Sequence, residues 1–391
     1  MTTIEDVFSH IDAQEIAQIC QDLIRIDTTN PPGNERTAAE YLRDSLRRFG
    51  FEDKWVDHDP QRASLIARLP GKGEEAPLVF NGHLDVVPVG KNDWHHPPFA
   101  GVIEEGKVWG RGSADMKGGL ASMAIAAKAI AKAGIPLRGD LILTATAGEE
   151  VNMLGAQSIA ALPEAKNWQA IVISEPTSNK LGLAERGVLW VELTTYGKTA
   201  HGSTPALGKN AITMMVQLLN ELEELEIPFQ PHPVLGNFTR SVNMIQGGIQ
   251  VNVVPDQCTV KVDMRTLPGQ DHASILNQLS DFLAARERSI PDFKASLHVI
   301  HKLPAAETSR QNPVVQSFER AFQIVAAESV PYMPLPYATE AAVFVPLLNV
   351  PTLVFGPGDP ALAHQPNEFI EISAMVKAAK VYAAYALELL G

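Results

Sequence analysis

Short apolar runs alternate with helical segments through the first half of the chain, and this alternation restricts the fold more than any other feature. Four runs have the length of buried strands: residues 64–69, 77–80, 141–147 and 170–174. Helical patterns occupy residues 13–26, 37–49 and 117–134. Buried strands between helices predict an α/β fold, a mostly parallel sheet with helices on both faces.

The pattern changes in the middle of the chain. Strands are predicted at residues 188–196, 241–246, 258–264 and 294–300, and helices at 210–225 and 273–286. The order β-α-β-β-α-β is that of a ferredoxin-like α+β domain. The first pattern then resumes, with helices at 313–328, 338–348 and 371–390 and a strand at 352–355. We therefore expect one α/β domain formed by residues 1–182 and 303–391, with a ferredoxin-like domain inserted at 183–302.

The composition is that of a globular protein and excludes several classes of partner. Of the 391 residues, 45% are hydrophobic and 20% are charged. The formal net charge of −13 argues against nucleic acid and anionic membranes as partners, because binding to phosphates requires clustered Lys and Arg. Cys20 and Cys258 are too few for a disulfide framework or a cysteine-rich zinc site, so any metal must be held by His and carboxylates.

The chain has no pattern that indicates export or membrane insertion. Its first 20 residues carry acidic side chains where a secretory signal would be basic. The most apolar helical stretch, residues 120–135, contains Lys128 and Lys132 and so differs from an uninterrupted span of about 20 apolar residues. We expect a cytoplasmic protein.

His83 and Asp85 follow an apolar run in the segment NGHLDVVP. Residues two apart on an extended chain project from the same face, so the Asp85 carboxylate could accept the second ring N–H of His83. This arrangement is typical of a metal-bound histidine and its orienting carboxylate. A histidine that is hydrogen-bonded for structural reasons alone would give the same pattern.

Three acidic residues stand at comparable positions. Asp115 lies in the glycine-rich segment GRGSADMKGG, where it could bind a metal or cap the helix that follows. Glu149 and Glu150 end the apolar run TATA, and two like charges so close together raise a pKa unless a cation neutralises one of them. The alternative is an exposed acidic pair. Because the pair ends a buried strand, the functional interpretation is favoured.

Glu175 and His364 complete the set. Glu175 follows another buried strand in ISEPT, and His364 lies in the loop PALAHQPNE. Ligand sites in α/β sheets form beyond the carboxyl ends of the strands. The set of two histidines and three carboxylates suits two zinc-like ions, with one carboxylate shared between them. Two divalent ions, three carboxylates and a bridging hydroxide sum to zero charge, which leaves Glu149 free to act in catalysis.

The segments NGHLDVVP, GRGSADMKGG, GEE, SEPT, GKTAHG and AHQPNE, in this order, resemble the acetylornithine deacetylase and succinyl-diaminopimelate desuccinylase family of metallopeptidases. The resemblance covers nearly the whole chain. It implies two Zn²⁺ per chain, with Co²⁺ as a substitute. It implies the following ligands: Asp115 bridging both ions, His83 and Glu175 on one, and Glu150 and His364 on the other.

The resemblance also assigns roles around these ligands. Glu149 becomes the general base, which takes a proton from the bridging water and passes it to the leaving nitrogen. Asp85 orients His83. In the inserted domain, His201 of GKTAHG matches a histidine that stabilises the tetrahedral intermediate, often across a dimer interface. Arg265 in VDMRTLPG resembles an arginine that binds the substrate carboxylate, with Asn252 assisting it. Without the resemblance, His201 and Arg265 would be surface residues.

The resulting hypothesis is a metal-dependent amidohydrolase that deacylates a small N-acyl amino acid, such as N-acetyl-ornithine or N-succinyl-diaminopimelate. The resemblance makes residues 1–182 and 303–391 the catalytic domain and makes 183–302 a lid and dimerisation domain of a homodimer. Glu175 stands where the aminopeptidase branches have Asp, which disfavours that activity. The acyl group stays open. The alternatives are a metallo-carboxypeptidase or dipeptidase of the same family, a non-catalytic metal-binding protein, and a structural protein without metal.

Overall fold

The structure, a computed structural model, describes residues 3–391. Contacts between Cα atoms divide the chain into two compact units. The first extends to Leu183 and resumes at Glu307–Pro334 and Thr339–Gly391, and the second comprises Ala184–Ala306 and Leu335–Ala338. The assignment of a catalytic role to one unit and a lid or dimerisation role to the other stays a prediction.

Helices and strands alternate in both units. The helices are α1 (Ile4–Ser9), α2 (Ala13–Arg25), α3 (Glu35–Arg47), α4 (Gly118–Ala133), α5 (Glu149–Asn152), α6 (Leu154–Ala160), α7 (Ala211–Glu224), α8 (His272–Ser289), α9 (Pro313–Ala326), α10 (Ala341–Leu348) and α11 (Ile372–Leu390). The strands are β1 (Glu52–Asp57), β2 (Ala63–Leu69), β3 (Leu78–His83), β4 (Val102–Glu104), β5 (Lys107–Trp109), β6 (Leu141–Thr146), β7 (Ala170–Ile173), β8 (Leu181–Glu185), β9 (Gly187–Tyr196), β10 (Thr239–Gly247), β11 (Gln257–Thr266), β12 (Ala295–Leu303), β13 (Ala306–Glu307), β14 (Tyr332–Leu335), β15 (Thr352–Val354) and β16 (Phe369–Glu371).

The large sheet is mixed, with the strand order β1-β2-β6-β3-β7-β15-β8-β13 and with β14 paired to β8. The central strands β6, β3, β7 and β15 are parallel, as predicted. The flanking pairs β1 with β2, β2 with β6, and β15 with β8 are antiparallel. The expectation of a mostly parallel sheet therefore holds for the centre of the sheet and not for its flanks. The short connection between β1 and β2 suits an antiparallel pair, since parallel neighbours need a long crossover.

Helices cover both faces of this sheet. Leu78 and Phe80 of β3 belong to a core cluster that includes side chains of α2, α3, α4, α9 and α11. Val79, between them, is equally buried but lies outside that cluster, because successive side chains of a strand point to opposite faces. Helices α6 and α10 contact each other and supply no side chain to the cluster. The two-sided arrangement is the one predicted from the short buried strands.

Helix α2 shows how local sequence determines an element. The Asp12 carboxylate accepts a hydrogen bond of 2.8 Å from the Glu15 main-chain N–H, which caps the helix. Ile16, Cys20 and Leu23 follow at helical spacing and are fully buried on one face. Cys20 is a free, buried thiol of the core. Of residues 3–391, none belongs to a helix with the length and apolar character needed to cross a membrane.

The second unit has the predicted ferredoxin-like topology. Its sheet has the order β10-β11-β9-β12, and the neighbouring strands are antiparallel. Helices α7 and α8 start at the capping residues Asn210 and Asp271, and their apolar side chains share a core with β9 and β11. Strand β10 lies at the edge of the sheet. Met244 and Ile245 on this strand are exposed.

Candidate metal centre

The predicted ligands meet where the central parallel strands end. His83 is the last residue of β3, Glu150 follows β6, and Glu175 follows β7. Asp115 lies in the irregular turn that precedes α4. His364 lies in the loop between β15 and β16. Parallel strands end at one edge of a sheet, and therefore residues far apart in sequence converge there.

Within residues 3–391, two groups of side chains have the donor atoms needed to hold a metal ion. One group is His83, Asp115 and Glu175, and the other is Asp115, Glu150 and His364. In each group the ligand atoms lie within 4.8 Å of one another. All five residues that the sequence predicted as ligands are present, and Asp115 belongs to both groups.

The Asp115 carboxylate lies between the two histidines. Its Oδ1 is 3.1 Å from His83 Nε2, and its Oδ2 is 3.4 Å from His364 Nε2. His364 Nε2 is also 3.0 Å from Glu150 Oε2, while His83 Nε2 is 3.7 Å from Glu175 Oε1. One carboxylate oxygen therefore faces each group, which is the arrangement expected of a bridging ligand.

The residues fit a pair of divalent ions. Glu175 Oε1 is buried and has no hydrogen-bond partner among the described residues. A buried carboxylate oxygen without a partner is costly unless a cation is beside it. The donor set of two imidazole nitrogens and three carboxylates suits ions of the zinc type.

The electrostatics of the cluster point in the same direction. Burial, together with the charge of the neighbouring carboxylates, raises the pKa of Glu149 and Glu175 well above the usual range for glutamate. Burial lowers the pKa of His83, but the charge of Glu175 and the hydrogen bond to Asp115 outweigh it and raise that pKa well above its usual value. Hydrogen bonds to Asp115 and Glu150 raise the pKa of His364 to about 10. The concentrated negative charge thus attracts cations, whether protons or metal ions.

Asp85 does not orient His83 in the predicted way. His83 Nδ1 donates to the main-chain oxygen of Asp85 at 2.9 Å, while the nearest carboxylate oxygen is 3.7 Å away. The Asp85 carboxylate instead accepts main-chain N–H groups of Gly148 and Glu149 at 3.0 Å each and of Glu150 at 3.2 Å. Three donors at the start of α5 occupy the carboxylate, so the histidine is left with the carbonyl. Asp85 therefore positions the turn that carries Glu149 and Glu150.

The turn that carries Asp115 is held in place by a buried lysine. Helix α4 has Lys117 at its N-cap position, which excludes the alternative in which Asp115 caps the helix. The fully buried Lys117 ammonium donates to the main-chain oxygens of Leu23 and Ile26 at 2.9 Å each. Burial lowers the pKa of Lys117 to about 8. Asp115 is thus held by a turn that is itself hydrogen-bonded to helix α2 and the residue after it.

Sequence reasoning missed several buried polar residues around the ligands. Asn30 contacts Asp85, Arg111 pairs with Glu368, and Glu340 accepts hydrogen bonds from Asn81 and Thr146. Arg111, Glu340 and Glu368 lie inside segments that were singled out for other reasons. A charged residue directly inside a ligand-bearing motif is the signal that could have identified Arg111 and Glu368, whereas Glu340 lies in the predicted helix 338–348, which carries no ligand.

The remaining predicted residues belong to the second unit. His201 Nδ1 is 2.7 Å from the Ser203 hydroxyl, and the His201 side chain is exposed. Asn252 is also exposed, and its main-chain oxygen accepts the N–H of Gly202 at 2.8 Å. Arg265 lies on β11, where its guanidinium is 3.0 Å from Asp263. The hydrogen bond from Gly202 brings His201 and Asn252 into one loop region.

Comparison with known proteins identifies the class. A family model described as Peptidase family M20/M25/M40 matches residues 79–388. The chain is 30% identical to a probable succinyl-diaminopimelate desuccinylase of Staphylococcus epidermidis, over 94% of this chain and 96% of that protein. It is 27% identical to an N-formyl-4-amino-5-aminomethyl-2-methylpyrimidine deformylase of Halalkalibacterium halodurans, over 99% of this chain and 98% of that protein.

A solved structure shares the fold. The aminopeptidase PepT from Bacillus cereus superposes with a TM-score of 0.78 at 22% identity, over 97% of this chain and 99% of that one. The fold and the site together define a metallohydrolase that acts on amide bonds. The chain belongs to peptidase family M20/M25/M40, which confirms the resemblance seen in the sequence.

Proposed function

We propose that the protein is a dinuclear metal-dependent deacylase that cleaves the amide bond of a small N-acyl amino acid. The position of Glu149 carries the proposal. Its carboxylate lies 3.9 Å from His83 Nε2 in the first ligand group, yet it belongs to neither group. A carboxylate that is adjacent to the metal ligands but not needed as one is available for proton transfer.

In this proposal His83, Asp115 and Glu175 would hold one zinc ion, and Asp115, Glu150 and His364 would hold the other. Bound divalent ions would polarise the amide carbonyl and acidify water. Cobalt is proposed as a substitute because it accepts the same nitrogen and oxygen ligands as zinc.

Glu149 would move the proton. Its side chain is largely buried, and burial raises its pKa, so the carboxylate holds a proton more strongly than an exposed glutamate. A base of this kind can take a proton from water and deliver it to the nitrogen that leaves. The hydrogen bond from the Glu149 main chain to Asp85 keeps the side chain directed at the ligand groups.

The names of two relatives support a deacylase. Both the desuccinylase and the deformylase are named for the removal of an acyl group. We propose that Arg265, assisted by Asn252, binds the carboxylate of the amino acid, because a planar guanidinium matches a carboxylate with two hydrogen bonds. Asp263 would hold the guanidinium until the substrate displaces it.

We further propose a cytoplasmic homodimer. Met244 and Ile245 on the edge strand β10, with Ile249 and Val251 in the loop that follows, are exposed apolar side chains. An exposed edge strand offers free main-chain groups to a second copy of the chain. In such a dimer His201 would reach the active site of the partner.

Metal analysis and substrate profiling test the proposal. We expect close to two zinc-type ions per chain, loss of activity in chelator and recovery with Zn²⁺ or Co²⁺. The substrate panel contains N-acetyl-ornithine, N-succinyl-diaminopimelate, other N-acyl amino acids and dipeptides. Faster turnover of dipeptides would favour the carboxypeptidase or dipeptidase alternative. A protein that binds no transition metal and is unaffected by chelator would contradict the proposal.

A further inference from the structure

Arg111 and Glu368 form an ion pair in the interior of the first unit. Arg111 is 2% exposed and Glu368 is 0% exposed, and Arg111 Nη1 lies 2.6 Å from Glu368 Oε2. Taking two charges out of water is costly unless further hydrogen bonds satisfy their remaining atoms. Neither residue has a part in the proton transfer described above. Their other contacts satisfy the remaining oxygen and Nη atoms, while Arg111 Nε has no hydrogen-bond partner among the described residues.

Glu368 binds the main chain of the turn that carries Asp115. Glu368 Oε1 accepts the N–H groups of Ala114 at 2.8 Å and of Asp115 at 3.0 Å. Glu368 Oε2 accepts the N–H of Gly112 at 3.1 Å. The carboxylate therefore fixes the backbone of the shared ligand Asp115 and of Ala114 and Gly112 before it.

Arg111 binds the main chain of the loop that carries His364. Its Nη1 donates to the Gln365 oxygen at 3.1 Å, and its Nη2 lies 3.5 Å from the His364 oxygen. The guanidinium carbon is 5.1 Å from the centre of the Trp94 ring, which holds the group from another side. The His364 side chain is 53% exposed, so packing does little to fix it. Its position depends on its backbone.

We propose that Arg111, held by Glu368, is a positioning residue for His364 and sets the metal affinity of the Asp115, Glu150 and His364 group. The inference rests on the proposed metal binding. The ion pair joins the turn that carries Asp115 to the loop that carries His364. His83 and Glu175, in contrast, lie at the ends of strands of the sheet. Loss of the Arg111 contact should therefore weaken one metal site and spare the other.

The test is a calorimetric titration of the metal-free full chain with Zn²⁺, repeated with Co²⁺ and followed by visible absorption. Arg111→Lys keeps a charge opposite Glu368 but lacks the planar fork that reaches the His364 loop. We expect one of two sites to bind about 10- to 100-fold more weakly, as for other residues that hold a metal ligand in place, with the second unchanged.

His364→Ala identifies the affected site. Because Arg111 acts through His364, Arg111→Lys should cause no further loss in the His364→Ala background. If Arg111→Lys instead damaged the structure in general, it would weaken metal binding in the wild-type background and in the His364→Ala background alike. Arg240→Lys is the matched control, because Arg240 also donates to main-chain oxygens, those of Glu223 and Leu225, but in the second unit. It should leave both affinities unchanged.

The outcomes separate the two proposals. Wild-type protein that binds fewer than two ions would contradict the proposed function. Two ions in the wild type, with both sites of Arg111→Lys unchanged or equally weakened, would overturn the role of Arg111 alone. If circular dichroism shows that Arg111→Lys is unfolded, Trp94→Leu decides the question by removing the ring beside the guanidinium. Selective weakening of metal binding at the His364 site in Trp94→Leu would support the inference. Unchanged or equally weakened metal binding at both sites in Trp94→Leu would overturn it.

Discussion

Asn30 donates a hydrogen bond of 2.8 Å from Nδ2 to Oδ2 of Asp85. The same carboxylate accepts the main-chain N–H groups of Glu149 and Glu150. One fully buried aspartate thus joins the loop after α2 to the turn that carries the proposed base and a proposed ligand. Replacement of the Asp85 carboxylate should therefore displace both Glu149 and Glu150.

Asp85→Asn should lower kcat by about 10- to 100-fold, as is typical when a residue behind the first ligands is changed. The amide group cannot accept hydrogen bonds on its nitrogen, so part of the turn loses its partner. Asn30→Ala removes one of the donors and should lower the free energy of unfolding by about 1 kcal/mol with a smaller effect on kcat. Steady-state kinetics and thermal denaturation check both, and normal kcat in Asp85→Asn would contradict the positioning role.

Glu149→Gln should keep its metal and lose most of its turnover. Removal of one general base typically lowers the rate about 100-fold to 10,000-fold. The adjacent Glu150→Gln is the matched control, and it should lose one ion because Glu150 is a proposed ligand. Elemental analysis and kcat are measured on both variants. Near-normal turnover in Glu149→Gln would remove Glu149 from its proposed role.

His201→Ala should lower kcat by about 100- to 1,000-fold, as for loss of one donor to the oxyanion of the transition state. Metal content should not change, because His201 belongs to neither ligand group. Substrate binding should suffer less than kcat. Parallel measurements of kcat, KM and bound metal check this prediction.

Mixed dimers test whether His201 acts across a subunit interface. His201→Ala and Glu149→Ala subunits are each expected to be inactive, but one site of a mixed dimer would contain both intact groups. Mixing should therefore restore part of the activity. Co-purification of differently tagged chains must first show that subunits exchange. With exchange shown, a mixture without activity would exclude the cross-subunit role.

Glu340 should make stability depend on pH. Burial raises its pKa to about 7, despite hydrogen bonds from Asn81 and Thr146, and its side chain is fully buried. An unfolded glutamate ionises near pH 4.5. Between these values the unfolded chain loses its proton while the folded chain keeps it, so the free energy of unfolding decreases as the pH rises through this window.

Glu340→Gln removes this ionisation. The melting temperature of the variant minus that of the wild type should therefore be larger at pH 8 than at pH 5. Thermal denaturation of metal-free protein at the two pH values measures the difference. Glu105→Gln, a change at an exposed site, serves as the control. An equal shift of Glu340→Gln at both pH values would contradict a buried ionisation at this position.

The sequence offered five candidate ligands through local patterns, and the resemblance to the family supplied their division into two groups. His83, Glu150 and Glu175 stand at or just after short apolar runs, and strand periodicity can be read over a few residues. Parallel strands then bring their ends together, so these three residues could be placed at one edge of the sheet without coordinates. The family and the class of reaction were also predicted correctly.

The contacts behind the ligands could not be predicted in this way. The Asp85 carboxylate binds Gly148, which is 63 positions away, and Arg111 binds Glu368 across 257 positions. Periodicity tells which face a side chain occupies, but not which distant donor is nearest to it. His83 consequently received the wrong hydrogen-bond partner in the prediction, the carboxylate of Asp85 in place of its carbonyl.

The place of β15 in the sheet has a consequence for synthesis of the chain. Strand β15 pairs with β7 on one side and β8 on the other, although it is encoded after the whole inserted unit. A chain still on the ribosome therefore has the edge of β7 unpaired while the second unit is made, and unpaired edges attract other strands and chaperones. His83, Asp115 and Glu175 have by then emerged, but His364 has not. The nascent protein can assemble one of the two candidate ligand groups long before the other.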